Sequence, residues 1–221
     1  AAPGTFQVND DGLLVAVGPG SHYTDPGKWG TTVVSNGTTY QWGMPIIQLD
    51  STGQQAYVKI GSGNPRFHYG ITNSVDWRGF TFYGLLDTQV GGNVYNQNNQ
   101  RSYQYQRSAD VDQVGKPDSL KKTIDYYSII YNGNAIEDWF VEPGGFVKLR
   151  ELSILYNLPE RLSARIPGNH GGASISVIGR NLKTWTRYSG YDPEAGTVNN
   201  RLDTYAYPQY RTFTGVLQLK F

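Results

Sequence analysis

The sequence predicts an all-β fold, a segment of an antiparallel transmembrane β-barrel, and three observations lead there. The first is alternation near the end of the chain. Phe213, Gly215, Leu217, Leu219 and Phe221 interleave with Thr212, Thr214, Gln218 and Lys220, and Val216 is the single apolar residue out of step. A period of two places successive side chains on opposite faces of a strand, and about ten residues suit a tilted membrane strand. The second is composition. Charged residues are 17% and aromatic residues 14%, with 27 Gly and 17 Tyr, whereas ordinary soluble domains carry about 25% charge. Such a chain favours strands and turns. The third is the spacing of the connections. Counted back from Phe221 they run long (183–211), shorter (158–172), long (91–145), very short (78–79) and long again before 66. Loops long at one end and short at the other are the asymmetry of outer-membrane barrels. A soluble sandwich shows the same alternation but has no reason to sort its loops.

Composition also excludes. The 221 residues carry a formal net charge of +1, so there is no basic field for nucleic acid. With no cysteine there is no disulfide frame and no thiolate chemistry. No run of about 18 apolar residues exists, which excludes a transmembrane helix. A mean hydropathy of -0.49 leaves a β-barrel open, because alternate residues of its strands face a polar lumen. The start, Ala1-Ala2-Pro3-Gly4, reads as neither a signal peptide nor an initiator. The expectation is a chain that begins after a cut or inside a longer polypeptide.

The elements follow in order. Residues 1–65 are expected to be an extracellular loop and hairpin region. Val8 to Gly12 is a turn, Leu13 to Val17 a short apolar run, and Gly18-Pro19-Gly20 a break. Thr31 to Ser35 and Thr38 to Trp42 flank Asn36-Gly37, which tolerates the positive φ angles of a type I′ hairpin. Residues 66–221 are expected to supply membrane strands at about 66–77, 79–90, 146–157, 173–182 and 212–221. Phe67, Tyr69, Ile71, Val75 and Trp77 alternate with polar residues, whereas Phe80 to Gln89 has large apolar residues on both faces. Within the polar excursion 93–145, Leu120, Ile124, Tyr127 and Tyr131 recur at three and four residues. With Pro117 ahead and Asn132-Gly133 behind, they predict one helix. Leu152, Ile154 and Tyr156 oppose Glu151 and Ser153, and Ile175, Val177 and Gly179 oppose Ser174, Ser176 and Arg180.

An ordered set of motifs then carries a resemblance. It comprises Gly63-Asn64-Pro65-Arg66-Phe67 with Tyr69-Gly70, Gly91-Gly92-Asn93, Phe146 to Ser153 with Tyr156-Asn157-Leu158-Pro159, and Gly179-Arg180-Asn181-Leu182. After these come Tyr188-Ser189-Gly190-Tyr191-Asp192-Pro193-Glu194, Tyr207-Pro208-Gln209 and Arg211 to Phe221. In order and spacing this set resembles the carboxyl-terminal barrel portion of the SusC/RagA-type TonB-dependent outer-membrane transporters. The resemblance covers 61–221; residues 1–60 match poorly, and Asp50-Ser51-Thr52-Gly53 stands where the family often has a longer acidic turn.

The resemblance implies a large barrel, roughly 22 strands, in the bacterial outer membrane with its long loops extracellular. It implies a plug and a TonB-reading segment, neither recognisable here, and a surface lipoprotein of the SusD type. Five strands cannot close such a barrel, and an open sheet edge in lipid leaves backbone groups unpaired. The expectation is therefore a fragment, or one polypeptide of a split transporter, with the rest of the barrel and plug as partner. Phe221, Leu219, Leu217 and Phe213 resemble the terminal signal read by the outer-membrane assembly machinery. They would face the lipid bilayer, and Thr214, Gln218 and Lys220 the lumen.

No catalytic arrangement is legible. His22, His68 and His170 are scattered, and Gly61-Ser62-Gly63 is a turn without the context of a phosphate loop. The reading is no enzyme, no cofactor and no metal. Asp192, Glu194 and Asp203 could offer oxygens to a hard cation, but Pro193 and the resemblance favour a structural loop. Trp185, Tyr188 and Tyr191, just past the fourth strand, could stack on a sugar or peptide ligand or form an aromatic girdle. The expected function is the wall, loops and closing strand of an energised importer of oligosaccharides, peptides or similar nutrients. The alternative is a surface adhesion or assembly protein that pairs through its strand edges.

Overall fold

The structure, a computed structural model, describes residues 2–25, 27–132, 137–166, 172–196 and 200–220. It divides into two compact units, Ala1–Ile60 with Gln97–Val141 and Gly61–Asn96 with Glu142–Phe221. Residues 97–141, which the sequence reading kept with the strands, thus pack with the amino-terminal segment.

The first unit gathers short elements around aromatic side chains. β1 (Phe6–Val8) pairs antiparallel with β2 (Leu14–Ala16). In the turn between them Asn9 Oδ1 accepts from the backbone N–H of Asp11 (3.1 Å) and of Leu13 (2.9 Å). β3 (Thr32–Ser35) and β4 (Thr38–Gln41) form the expected hairpin. Asn36 and Gly37 at its tip have φ of 51° and 80°, the left-handed pair that the turn requires. Val15, Ala16, Val17, Val33 and Trp42 are buried together, with Phe6, Tyr23, Trp29 and Tyr40 packed against them.

The single helix expected around 117–131 is broken in two. A 3-10 turn covers Asp118–Leu120, and α2 (Ile124–Tyr131) follows α1 (Gln97–Gln104). Lys121 and Thr123 between them are extended, with ψ of 138° and 162°. The cause is tertiary. The Lys121 carbonyl accepts from Trp29 Nε1 (3.1 Å), and Lys122 Nζ reaches Asp10 (2.8 Å) and Asp11 (2.7 Å). Tyr126, fully buried, donates its hydroxyl to Asp11 (2.6 Å) and accepts from Asn9 Nδ2 (2.7 Å). Burial first, then the Asp11 carboxylate, raise that hydroxyl far above the ordinary tyrosine range. Tyr103, Tyr127, Ile130 and Phe140 are also buried in this unit.

The second unit is dominated by one antiparallel sheet. Its strands are β5 (Phe67–Trp77), β6 (Phe80–Val90), β9 (Phe146–Asn157), β10 (Ala173–Thr186) and β12 (Thr212–Leu219). They lie in the order β12-β10-β9-β6-β5. Smaller pieces are β7 (Asn93–Asn96), β8 (Val141–Pro143), α3 (Glu160–Ser163) and β11 (Leu202–Asp203), with β11 parallel to β7. Arg78 and Gly79, at φ of 49° and 88°, make the tight turn from β5 to β6.

Residues paired across antiparallel strands share a face, so the pairings define two faces. On one, Trp77, Phe80, Tyr156, Ile175 and Leu217 form a row. Val75, Phe82, Ile154, Val177 and Gly215 form the next. Further along, Tyr69, Thr88, Val147 and Trp185 make another. Most of the apolar side chains on this face remain open to the surroundings, Phe213 at 72% and Leu217 at 64% exposure, whereas Thr88 is buried. The opposite face carries His68, Asp87, Lys148, Arg180, Glu151, Ser174, Ser176, Thr214 and Gln218, with Leu155, Ile178 and Val216 among them. The pairing also settles β6, whose facing the sequence left open: Phe80, Phe82, Gly84 and Leu86 join the apolar face.

The sheet is therefore mostly β with antiparallel pairing, as expected. Among the described residues no helix is long and apolar enough to cross a membrane. Phe221 and His170 lie outside the described residues.

Candidate functional site

The second unit concentrates its charge at the end of the sheet remote from the tight turn. β6 and β9 deliver it there. Their pairing slips between Leu85 and Leu86, leaving Arg150 as an extra residue in β9. A bulge of this kind re-aims a side chain. Arg150 donates from Nε (2.9 Å) and Nη2 (2.6 Å) to Asp87, and from Nη2 to Glu194. Lys148, only 4% exposed, bonds Asp192 (2.7 Å) and Glu194. His68 Nε2 meets the other oxygen of Asp87, and the Phe146 ring lies 5.2 Å from the Lys148 ammonium.

A buried cation is tolerated only when paired and hydrogen-bonded. Lys148 explains why the loop carrying Asp192 and Glu194 is folded down. Burial pushes the Glu194 carboxyl up, but its bonds to Arg150 and Lys148 outweigh that and hold it below its usual range. The loop has further anchors. Ser189 donates its backbone N–H (2.7 Å) and its hydroxyl (2.8 Å) to Glu142, which also accepts from Asn96 Nδ2 (2.8 Å). Tyr188 donates its hydroxyl to Asp203 (2.6 Å). Burial, then that carboxylate, raise the Tyr188 hydroxyl well above the ordinary range. A Cβ on Gly190 would stand 2.4 Å from the Tyr188 ring, so any other residue there would displace that ring.

The motif residues resolve into structural parts. Gly179, Arg180, Asn181 and Leu182 form a second bulge, where the β10–β9 pairing shifts between Arg180 and Lys183. Asn181 takes a φ of 52° and gives its side-chain N–H to the Tyr210 carbonyl (3.0 Å). Arg180 pairs with Glu151 (2.8 Å). A Cβ on Gly179 would meet Leu182 at 2.9 Å and Phe213 at 3.3 Å. Gly92, at φ 79°, packs its backbone on Gly63 and Pro65. Arg201 Nη2 donates to the Pro193 carbonyl (2.9 Å). Tyr207 is 90% exposed, and Gln209 Oε1 lies 3.5 Å from Arg150 Nη1.

Three sequence expectations meet the geometry as follows. Asp192, Glu194 and Asp203 do not converge as a cation cage: the first two are held by Lys148 and Arg150, and Asp203 by Tyr188. No group of three or more potential metal ligands occurs among the described residues. Trp185 lies inside β10, which runs to Thr186 rather than stopping at Leu182, and shares the apolar face with Val147. Tyr188, 5% exposed, offers no open face to a ligand, whereas Tyr191 is 83% exposed. The residues missed were Lys148, Arg150 and Asp87. Their signal was charge in the body of otherwise apolar strands.

No family model matches the chain. In sequence it is 28% identical over 204 residues to TonB-dependent receptor P3 of Formosa agariphila, covering 86% of this chain and 20% of that protein. It is 26% identical over 180 residues to TonB-dependent receptor P39 of the same organism, covering 73% and 17%. The chain thus spans about one fifth of the length of the curated relatives it matches. In structure it is similar to a chain of the RagAB peptide transporter, with a TM-score of 0.57, 20% identity, and 98% of this chain against 22% of that one. The RagAB peptide importer in its open-open state gives a TM-score of 0.54 with the same coverage. Both comparisons agree with the resemblance carried by the motifs.

Proposed function

We propose that this chain forms part of the barrel wall and loops of a TonB-dependent nutrient importer of the outer membrane. The observation that carries the reading is the sheet's open apolar face. Leaving such a face open to water is costly, whereas hydrocarbon accepts it. The row of Trp77, Phe80 and Tyr156 bounds the face at one end, and Tyr69 and Trp185 at the other. Eight residues separate Trp77 from Tyr69 along β5, about 26 Å of strand. A strand tilt of about 35–45° reduces that to about 20 Å along the bilayer normal, close to the apolar band about 25 Å tall between aromatic girdles.

On this reading the polar face looks into the lumen, and the loops after β6 and β10 lie at the cell surface. Phe221, Leu219, Leu217 and Phe213 act as the assembly signal, and β12 closes the barrel. The remainder of the barrel, a plug, TonB and a surface lipoprotein of the SusD type are its partners. The imported ligand is an oligosaccharide, peptide or similar nutrient, captured by loops and plug. The natural absence of cysteine makes a direct test simple. Single substitutions Ile175→Cys and Ser176→Cys are labelled in membranes with a lipid-phase and a water-soluble maleimide. The expected result is lipid-phase labelling at 175 alone; equal labelling at both positions would defeat the facing.

A further inference from the structure

The apolar face carries one charged residue among the described strand residues. Lys183 pairs with Leu149, whose row continues through Leu86 to Ile71. The other basic residues of β9 and β10 whose contacts are described have a carboxylate partner on the opposite face. Lys148 holds Asp192 and Glu194, Arg150 holds Asp87 and Glu194, and Arg180 holds Glu151. Lys183 is exposed and makes no ion pair with a described residue.

A cation on a lipid-facing strand costs about 2–4 kcal/mol at the bilayer midplane and about 0–1 kcal/mol near the interface. Its position is therefore informative. The next row along the face is Tyr69, Thr88, Val147 and Trp185, and Trp and Tyr mark the level of lipid headgroups. A lysine stem can lie along the apolar surface and lift its ammonium to that level. Arg187, just beyond β10, and Arg211, just before β12, are exposed at the same end and add positive charge. We propose that Lys183, with Trp185 beside it, is a contact site for the phosphate of an anionic lipid headgroup. A compact ammonium is a point-charge partner for phosphate, and Trp185 keeps the strand end at the boundary. The site rests on the reading that this face meets lipid.

The test uses the full protein purified in detergent, with bound lipid counted by native mass spectrometry. The probes are phosphatidic acid and diacylglycerol with identical acyl chains, and inorganic phosphate. Phosphatidic acid should bind more tightly than diacylglycerol. Lys183→Gln should weaken it about fivefold, the effect of one lysine near an anionic surface. Lys183→Arg should retain binding, and Arg180→Gln, on the opposite face, should not change it. Equal binding by wild type and Lys183→Gln would overturn the site. So would equal affinity for the two lipids, or displacement of phosphatidic acid by inorganic phosphate at equal concentration. Lipid-phase labelling of Ile175→Cys in membranes, before extraction, separates the two readings. Labelling retained without a Lys183 effect removes this site alone; labelling lost removes the membrane reading and the site with it.

Discussion

The two units use similar residues in opposite ways. In the first, Tyr103, Tyr126, Ile130 and Phe140 turn inward and are almost fully buried. Two buried hydroxyls there find carboxylates, Tyr126 at Asp11 and Tyr103 at Asp110, and Tyr127 finds the Asp110 carbonyl. In the sheet, Phe67, Trp77, Ile175, Leu217 and Phe213 turn outward, while Lys148 is buried at the other face. The difference teaches that the surroundings, rather than the residue types, decide which side of an element is the inside. On the membrane reading proposed above, a unit surrounded by water hides its aromatic rings, whereas a wall surrounded by hydrocarbon displays them.

The contrast can be broken most forcefully in the first unit. Phe140→Ala should cost about 3–5 kcal/mol, the usual loss for a buried aromatic ring. Hydrogen exchange of the α2 amides would report it, and unchanged protection would show that the core is not where the contacts place it. Next is the sheet. Leu152 lies in the row midway between the two aromatic ends, so Leu152→Arg should lower the folded amount in the membrane by the equivalent of about 2–4 kcal/mol, with Ser153→Arg on the other face close to wild type. Equal losses would remove the distinction between the faces. Tyr126→Phe should cost about 1–3 kcal/mol, because Asn9 and Asp11 each lose a buried partner; thermal unfolding of the first unit would show it.

The smallest effect is acid dependence of the loop at 188–194. The folded Glu194 carboxyl lies below its ordinary value of 4.5. Its contribution is therefore complete above 4.5 and is lost as pH falls through the lower, folded value. Protease sensitivity of the loop should stay constant from neutral pH down to 4.5 and rise only beneath it. Loosening already above 4.5 would contradict the ion pairs drawn with Lys148 and Arg150.

Much of the sheet was legible because alternation is a local signal. Ile175, Val177 and Gly179 declare their common face in the sequence, and so do Leu152, Ile154 and Tyr156. Bulges hid the rest. The extra Arg150 moves Leu149 and Val147 onto the face of Leu152, so a strict count of two fails in mid-strand. The charged site was illegible for a different reason. Lys148 and its partners Asp192 and Glu194 lie 44 and 46 residues apart, and nothing local announces the pairing. In the first unit Trp29 and Lys121 are 92 residues apart. That long-range bond, with the pull of Asp10 and Asp11 on Lys122, broke a helix that periodicity alone would have continued.

The bulge at Asn181 has a consequence for the register of β12. Leu182 and Phe213 both fill the space that Gly179 leaves empty, and Asn181 ties the backbone at Tyr210 just above. If β12 arrived two residues out of place, Phe213 would meet Val177 in place of the glycine notch, and the Asn181 tie would be lost. The slipped arrangement would keep its hydrogen-bond ladder and its alternation, which most of the strand cannot tell from the correct one. The notch thus fixes the register of β12 on β10, disfavouring a near-miss that hydrophobicity by itself would accept.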